Sequence, residues 1–359
     1  MHKTPVPQWR GHVVEGSRYA DLRDDLARLF HKAKAIETHR AHRSDWKDFC
    51  RWCADRPKVD PGVPPLKFWS DLVPLPSRAI GNEDVAAYVA DRQRTLKPAT
   101  LRRRLSTIAV MYRRAKLPNP ASARDFPLSE VWAGIKNEKG VRSESEAPVL
   151  AEHVGAIIAR LPLADARPDR RLRALRDRAL LLAGLTGGFR RCELIGVDVG
   201  HLTHEAEGLV VFLPKSKSDQ EGRGAEVCIR ATGGPTCPVA ALAAWVEAAG
   251  IQDGPVFRSV TNSGAIGGRL SGQSVALMVK RAVSLIGLDP AEYAGYSFRS
   301  GNATQAARGG ARREDIAAHL RHKDTRTTER YIKAARKWDN PVSLIVGEAI
   351  QSNPTEGNH

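Results

Sequence analysis

Apolar residues in the first half of the chain recur every three or four positions, the period of a helix that buries one face. Leu22, Leu26, Leu29 and Ala33 form one such stripe, and Trp46, Phe49 and Cys53 form the next, in a helix starting near Thr38. The proline-rich stretch 57–76 reads as a loop. Asn82 has the chemistry of an N-cap for a helix carrying Val85, Tyr88 and Val89. Pro98 suits the first turn of a fourth helix, whose buried face takes Leu101, Leu105, Ile108, Met111 or Tyr112, and Ala115. The stretch 137–147 is polar, contains glycine and has no apolar period, so it reads as a linker. Beyond it, helices are predicted near 150–161, 170–185, 237–249, 272–287 and 312–321. Leu209–Leu213 and Ala225–Ile229 read as two short strands joined by a basic, polar turn. The expected fold is mainly α with a small antiparallel β-sheet in the second of two domains. The boundaries are a tail over 1–16, a helical domain over 17–136, the linker over 137–147, a mixed domain over 148–350 and a disordered tail over 351–359.

Charge narrows the class of partner. The 359 residues carry a formal charge of +16, which favours a polyanion. The fourth helix concentrates that charge: Arg102, Arg103, Arg104, Arg113, Arg114 and Lys116 decorate it, with no acid between Leu96 and Pro120. Solvated faces normally mix signs, so phosphate contact is the expectation for these cations. Each contact would steepen the salt dependence by roughly 0.9 log unit. No apolar run reaches the roughly 18 residues that span a bilayer, and the N-terminal residues have no signal-peptide core. The expected location is therefore the cytoplasm, in association with the nucleoid. Cys50 and Cys53 form a C-x-x-C, but they share helical spacing with Trp46 and Phe49 and no second ligand pair follows. Core packing is the expected role of that pair, and no metal or cofactor is expected.

The candidate chemistry lies in the second half. Tyr331 stands nine residues after His322, with Arg299 and Arg190 in separate upstream segments. A guanidinium matches two phosphate oxygens at once, and a tyrosine hydroxyl can act as a covalent nucleophile. Arg190 follows a glycine pair that breaks an apolar helix, which places it near the N-terminus of the next one, where backbone N–H groups also favour an anion. Glu193, three residues on, lies on the same side; alone, such an R-x-x-E is a common surface ion pair.

Thr186-Gly-Gly-Phe-Arg-Arg-Cys-Glu-Leu194 resembles the first arginine box of the tyrosine recombinases, the phage-integrase and Cre-like family. Gly295-Tyr-Ser-Phe-Arg-Ser-Gly301 resembles the second box, and Leu320-Arg-His322 through Tyr331 the third. The turn Pro214-Lys-Ser-Lys-Ser-Asp-Gln220 resembles the family's lysine turn. Order and spacing agree over roughly residues 147 to 345, and the helical first half resembles the family's core-binding domain. The resemblance implies a C-shaped clamp made of a helical SAM-like core-binding domain and an integrase-type catalytic domain. It also implies roles. Tyr331 attacks the scissile phosphate to give a 3′-phosphotyrosyl link, and Arg190 and Arg299 hold the non-bridging oxygens. His322 hydrogen-bonds phosphate, Glu193 supports the site, and Lys217 protonates the departing 5′-oxygen. Lys215 is the alternative to Lys217, with a DNA-contact role otherwise. The clustered cations are expected to lower the Tyr331 pKa.

This chain departs from the family pattern twice. Tyr296 stands where His or Lys usually opens the second box, and a phenol is a poor base at neutral pH. Arg321 replaces the glycine usual before His322, and either binds DNA or faces solvent. The implied function is a site-specific recombinase that cuts and rejoins duplex DNA at inverted-repeat sites as a tetramer, with accessory DNA-bending proteins as possible partners. Its C-terminal segment, Trp338 to Ile350, packs either on a neighbouring protomer or in cis. The alternatives are a type IB topoisomerase or telomere resolvase with the same chemistry, and a catalytically weak DNA-binding regulator.

Overall fold

The computed structural model describes residues 36–55, 80–115, 117–140, 146–214 and 224–352. The chain divides between Glu144 and Ser145 into two compact units. The predicted stripe from Leu22 to Ala33 and the loop 57–76 lie outside the described residues.

The first unit contains helices α1 (Ile36–Ala54), α2 (Asn82–Arg92), α3 (Pro98–Arg114) and α4 (Leu128–Lys139). Their apolar stripes meet in one core that includes Trp46, Phe49, Tyr88, Leu101, Ile108 and Leu128. Tyr88 meets Phe49 and Trp52 edge-on, at centroid distances of 5.1 and 5.4 Å, a favoured aromatic geometry. Cys50 and Cys53 are buried in this core. Pro98 sits at the start of α3, and both Met111 and Tyr112 are buried where one or the other was expected.

Two readings are corrected. The N-cap of α2 is Gly81, not Asn82. Asn82 instead ties down the start of α4: its amide nitrogen donates to the carbonyls of Pro120 and Ser122, and its oxygen accepts from the N–H of Leu128. The stretch read as a linker from Asn137 begins later, because α4 continues to Lys139 before Gly140 ends it.

The second unit contains α5 (Ala151–Ile158), α6 (Pro168–Thr186), α7 (Arg191–Gly196), β1 (Leu202–Glu205), β2 (Gly208–Leu213), β3 (Ala225–Arg230), α8 (Pro238–Ala248), β4 (Arg258–Val260), β5 (Ile266–Arg269) and α9 (Gly272–Ser284). It ends with α10 (Ser297–Arg308), α11 (Arg313–His319), α12 (Thr325–Ala335) and α13 (Val342–Ser352). Helix α6 is the spine, with Leu180 and Leu181 fully buried, and it packs against α8 and α10. The strands form an antiparallel β1-β2-β3 sheet and a β4-β5 hairpin. In β2 and β3 the register pairs Leu209 with Ile229 and Val211 with Val227, so one apolar face lies on the core. The turn between these strands lies outside the described residues, and with it Lys215 and Lys217. Helix α13 runs two residues into the predicted tail, to Ser352. Among the described residues no helix is long and apolar enough to cross a membrane.

Candidate active site

Three turns build the site. Helix α6 ends at Thr186, and Gly188 adopts a left-handed φ of 55° that re-aims the chain. A side chain there is excluded, since a Cβ would lie 2.4 Å from Leu320 Cδ2. The chain then enters α7 with Arg190 as its N-cap residue. The Arg190 N–H donates to Glu193 Oε2 at 2.9 Å, and its Nη1 donates to Oε1 at 2.5 Å. Glu193 is buried. Burial alone would raise its pKa, but the Arg190 N–H and the guanidiniums of Arg321 and Arg190 hold it below the usual carboxylate range.

Arg299, in the first turn of α10, is 1% exposed. Its Nη1 donates to the Gly188 carbonyl at 2.9 Å and its Nη2 to the Leu320 carbonyl, so one side chain joins the turns that carry Arg190 and His322. Close approach of α10 is possible because residue 301 is glycine; a Cβ there would meet the Val149 carbonyl oxygen at 1.9 Å. Burial, with Arg190 alongside, lowers the Arg299 pKa to about 10, which leaves it charged at neutral pH.

His322 lies between α11 and α12. Its Nδ1 is 2.8 Å from Thr328 Oγ1, while its Nε2 is buried without a hydrogen-bond partner among the described residues. Burial and the nearby Arg299, Arg190 and Arg321 push its pKa down to about 4, so the ring is neutral at pH 7. The ring of Tyr331 lies nearly parallel to it, at 17° and a centroid distance of 6.2 Å. Tyr331, on α12, is 8% exposed, and its hydroxyl donates to the Tyr296 hydroxyl at 3.1 Å. Tyr296 itself is 42% exposed. The seven residues Arg190, Glu193, Tyr296, Arg299, Arg321, His322 and Tyr331 are therefore brought together from four segments.

The electrostatics overturn one expectation. The Tyr331 pKa is raised, because burial and the Tyr296 hydroxyl outweigh the attraction of Arg330. The cations near His322 do not lower it. Of the two readings of Arg321, the one that turns it to solvent is corrected. Its side chain is 11% exposed and its Nη2 donates to Glu193 Oε2 at 2.9 Å.

The expected DNA-contact residues of α3 divide. Arg103 forms a two-pronged pair with Asp45, at 2.9 and 2.8 Å, yet remains half exposed. Arg104 is mostly buried, bonded to Asp48 and to the Tyr88 hydroxyl. Arg102 and Arg113 are exposed without an ion-pair partner among the described residues, and Arg114 is partly buried. Lys116 lies outside the described residues.

Sequence reasoning missed several participants. Asn302 donates to the carbonyls of Leu185 and Thr186, and His319 Nε2 lies 2.9 Å from the Thr186 carbonyl, so both brace the first turn. Arg40, Arg43, Lys47 and Arg51 form an exposed basic stripe along α1. The period that placed Trp46 and Phe49 inside would have found it.

Residues 163–337 match the model of the phage integrase family. An integrase/recombinase, the xerD homolog of Selenomonas ruminantium, is 33% identical over 324 residues, covering 89% of this chain and 88% of that protein. Among solved structures, XerH site-specific recombinase bound to palindromic difH substrate in a post-cleavage complex aligns with a TM-score of 0.54 at 15% identity, over 76% of this chain and 73% of that one. A lambda integrase dimer bound to a COC′ core site also aligns at 0.54, at 16% identity over 88% of this chain and 94% of that one. These structural likenesses establish the fold, a helical protein with small antiparallel sheets.

Proposed function

This chain belongs to the phage integrase family and is a site-specific DNA recombinase, and from that premise we propose that it breaks and rejoins duplex DNA through Tyr331. The Tyr331 oxygen attacks phosphorus, the bond to the 5′-oxygen breaks, and a 3′-phosphotyrosyl link replaces one phosphodiester with another. The reverse attack by a 5′-hydroxyl restores the backbone, so no ATP is consumed. The phenol proton passes toward the Tyr296 hydroxyl, which opens to water. Arg190 and Arg299 neutralise the charge that grows on the non-bridging oxygens. With the Thr328 hydroxyl donating to Nδ1, neutral His322 carries its proton on Nε2 and offers it to a phosphate oxygen. Glu193 orients Arg190. Lys217 supplies the leaving-group proton on the strength of its place in the sequence.

The observation that carries this reading is the buried Arg299, whose guanidinium joins the first and third turns beside the Tyr331–Tyr296 pair. The partner is duplex DNA with inverted-repeat sites, bound by the exposed cations of α1 and α3. The assembly is a tetramer on DNA built through α13, and the setting is the cytoplasm, with accessory DNA-bending proteins possible. The supporting observation for assembly is that Leu344, Ile345, Val346 and Ile350 on α13 stay exposed rather than packing in cis.

Nicked suicide duplexes cut from the DNA that flanks the encoding gene test the chemistry. Wild type is expected to form a covalent protein–DNA adduct, Tyr296→Phe to form it more slowly, and Tyr331→Phe none. An adduct that persists in Tyr331→Phe would show that another residue is the nucleophile. Relaxed products without strand exchange would shift the reading to a topoisomerase.

A further inference from the structure

Among the described residues, Arg321 is the one non-glycine residue with a left-handed backbone, φ 56°. That conformation is unfavourable for any residue with a Cβ, and glycine meets it freely. The long side chain held there is nevertheless drawn inward. Its Nη1 donates to the His319 carbonyl at 2.7 Å, its Nη2 donates to Glu193 Oε2 at 2.9 Å, and the guanidinium stands 5.9 Å from the Phe189 ring centroid. Among the described residues its Nε is buried without a hydrogen-bond partner, on the same turn as the similarly unpartnered Nε2 of His322.

Glu193 already has both oxygens bound by Arg190. A single carboxylate held by a single guanidinium would largely cancel the charge that Arg190 must present to phosphate. The second guanidinium changes that balance. Arg190, Arg299 and Arg321 against Glu193 leave two net positive charges in the pocket; glycine at position 321 would leave one. A phosphodiester under attack gains a second negative charge on its non-bridging oxygens.

We infer that Arg321 is a positioning residue of the strand-transfer site, which shares the charge of Glu193 so that Arg190 stays available to the doubly charged transition state. The inference rests on the Tyr331 chemistry proposed above. Arg321 acts through Glu193 and need not touch DNA.

The full chain tests this on a suicide duplex that wild type cleaves, made with either an ordinary phosphate or a methylphosphonate at the scissile position. The methylphosphonate lacks one charged oxygen, so its transition state needs one cation fewer. Arg321→Gly is expected to slow adduct formation on the phosphate duplex by about ten- to hundredfold, the scale for residues that orient a ligand-binding group. Duplex affinity should change little. On the methylphosphonate duplex most of that loss should disappear, and Arg321→Lys should recover part of the rate on phosphate. Glycine suits the backbone here, so the melting temperature should hold or rise. The ratio between the two duplexes in one preparation is in any case independent of the folded fraction. An equal loss on both duplexes, or no loss on either, would reduce Arg321 to a structural clip. A wild type that makes no adduct through Tyr331 would instead sink the underlying reading.

Discussion

At the scale of single residues, the site holds Tyr331, the proposed nucleophile, in a protonated state. Tyr331 is buried, its pKa is raised, and its hydroxyl proton is given to a second phenol rather than to a base. His322 follows the same logic with opposite charge: burial among guanidiniums depresses its pKa from an ordinary 6.5 to about 4. The sign of its effect on stability follows from proton counting. Between those two values the unfolded chain binds a proton that the folded chain refuses, so stability is present above about pH 6.5 and falls as the pH drops toward 4. The urea midpoint should decline from pH 7 to pH 5, and His322→Gln should flatten that decline. An unchanged slope would mean that His322 protonates freely in the folded state. That Arg190, Arg299, His322 and Tyr331 come together was legible in the sequence from the order of the three boxes. The direction of the Tyr331 shift was not, because it depends on which groups burial places beside the phenol. The sharing of Glu193 by Arg190 and Arg321 was hidden for the same reason: the partners are separated by 128 residues.

At the scale of elements, the stripes of α3 and α9 made those helices legible, whereas α10 and α12 were not read as helices. Helix α10 buries Ser297, Arg299, Ser300 and Thr304 along with Phe298 and Ala303, so it is enclosed on most sides and shows no amphipathic period. Strand β4 spans only Arg258–Val260, too short for an alternation to register. Helix α3 misleads in another way. It lacks an acid of its own, but Asp45 and Asp48 on α1 lie against it, 58 and 56 residues from Arg103 and Arg104. The sequence therefore displays a uniformly cationic helix that tertiary structure partly neutralises. This separates two kinds of arginine by experiment. Arg102→Ala and Arg113→Ala, if each removes one phosphate contact, should lower the slope of log affinity against log salt by about 0.9 while leaving the melting temperature unchanged. Arg104→Ala should leave the slope unchanged and cost about 2 kcal/mol of stability, since it strips a mostly buried Asp48 and Tyr88 of a charged donor. Equal slopes for all three variants would place the DNA contact elsewhere.

At the scale of the whole molecule, the unexplained surface is apolar rather than charged. Helix α13 leaves Val342, Leu344, Ile345, Val346 and Ile350 exposed by 53 to 69%, and Trp338 just before it by 84%. A contiguous apolar set of this kind on a folded chain marks an interaction site. A chain with a charge of +16 is held apart from its own copies in free solution, and a polyanion removes that repulsion. Assembly through α13 should therefore be conditional on DNA. Truncation after Asn340 separates this from a local folding role: α13 follows Tyr331, and the residues gathered in the candidate site, Arg190 to Tyr331, all precede the cut. The truncated chain is expected to form the Tyr331 adduct within a few-fold of the wild-type rate on a duplex that one protomer suffices to cleave. It should fail to bring two duplexes into one complex in analytical ultracentrifugation, where the full chain succeeds. A truncated protein that still pairs duplexes would mean that the copies meet through another surface. One that loses adduct formation as well would mean that α13 supports the site from within its own chain.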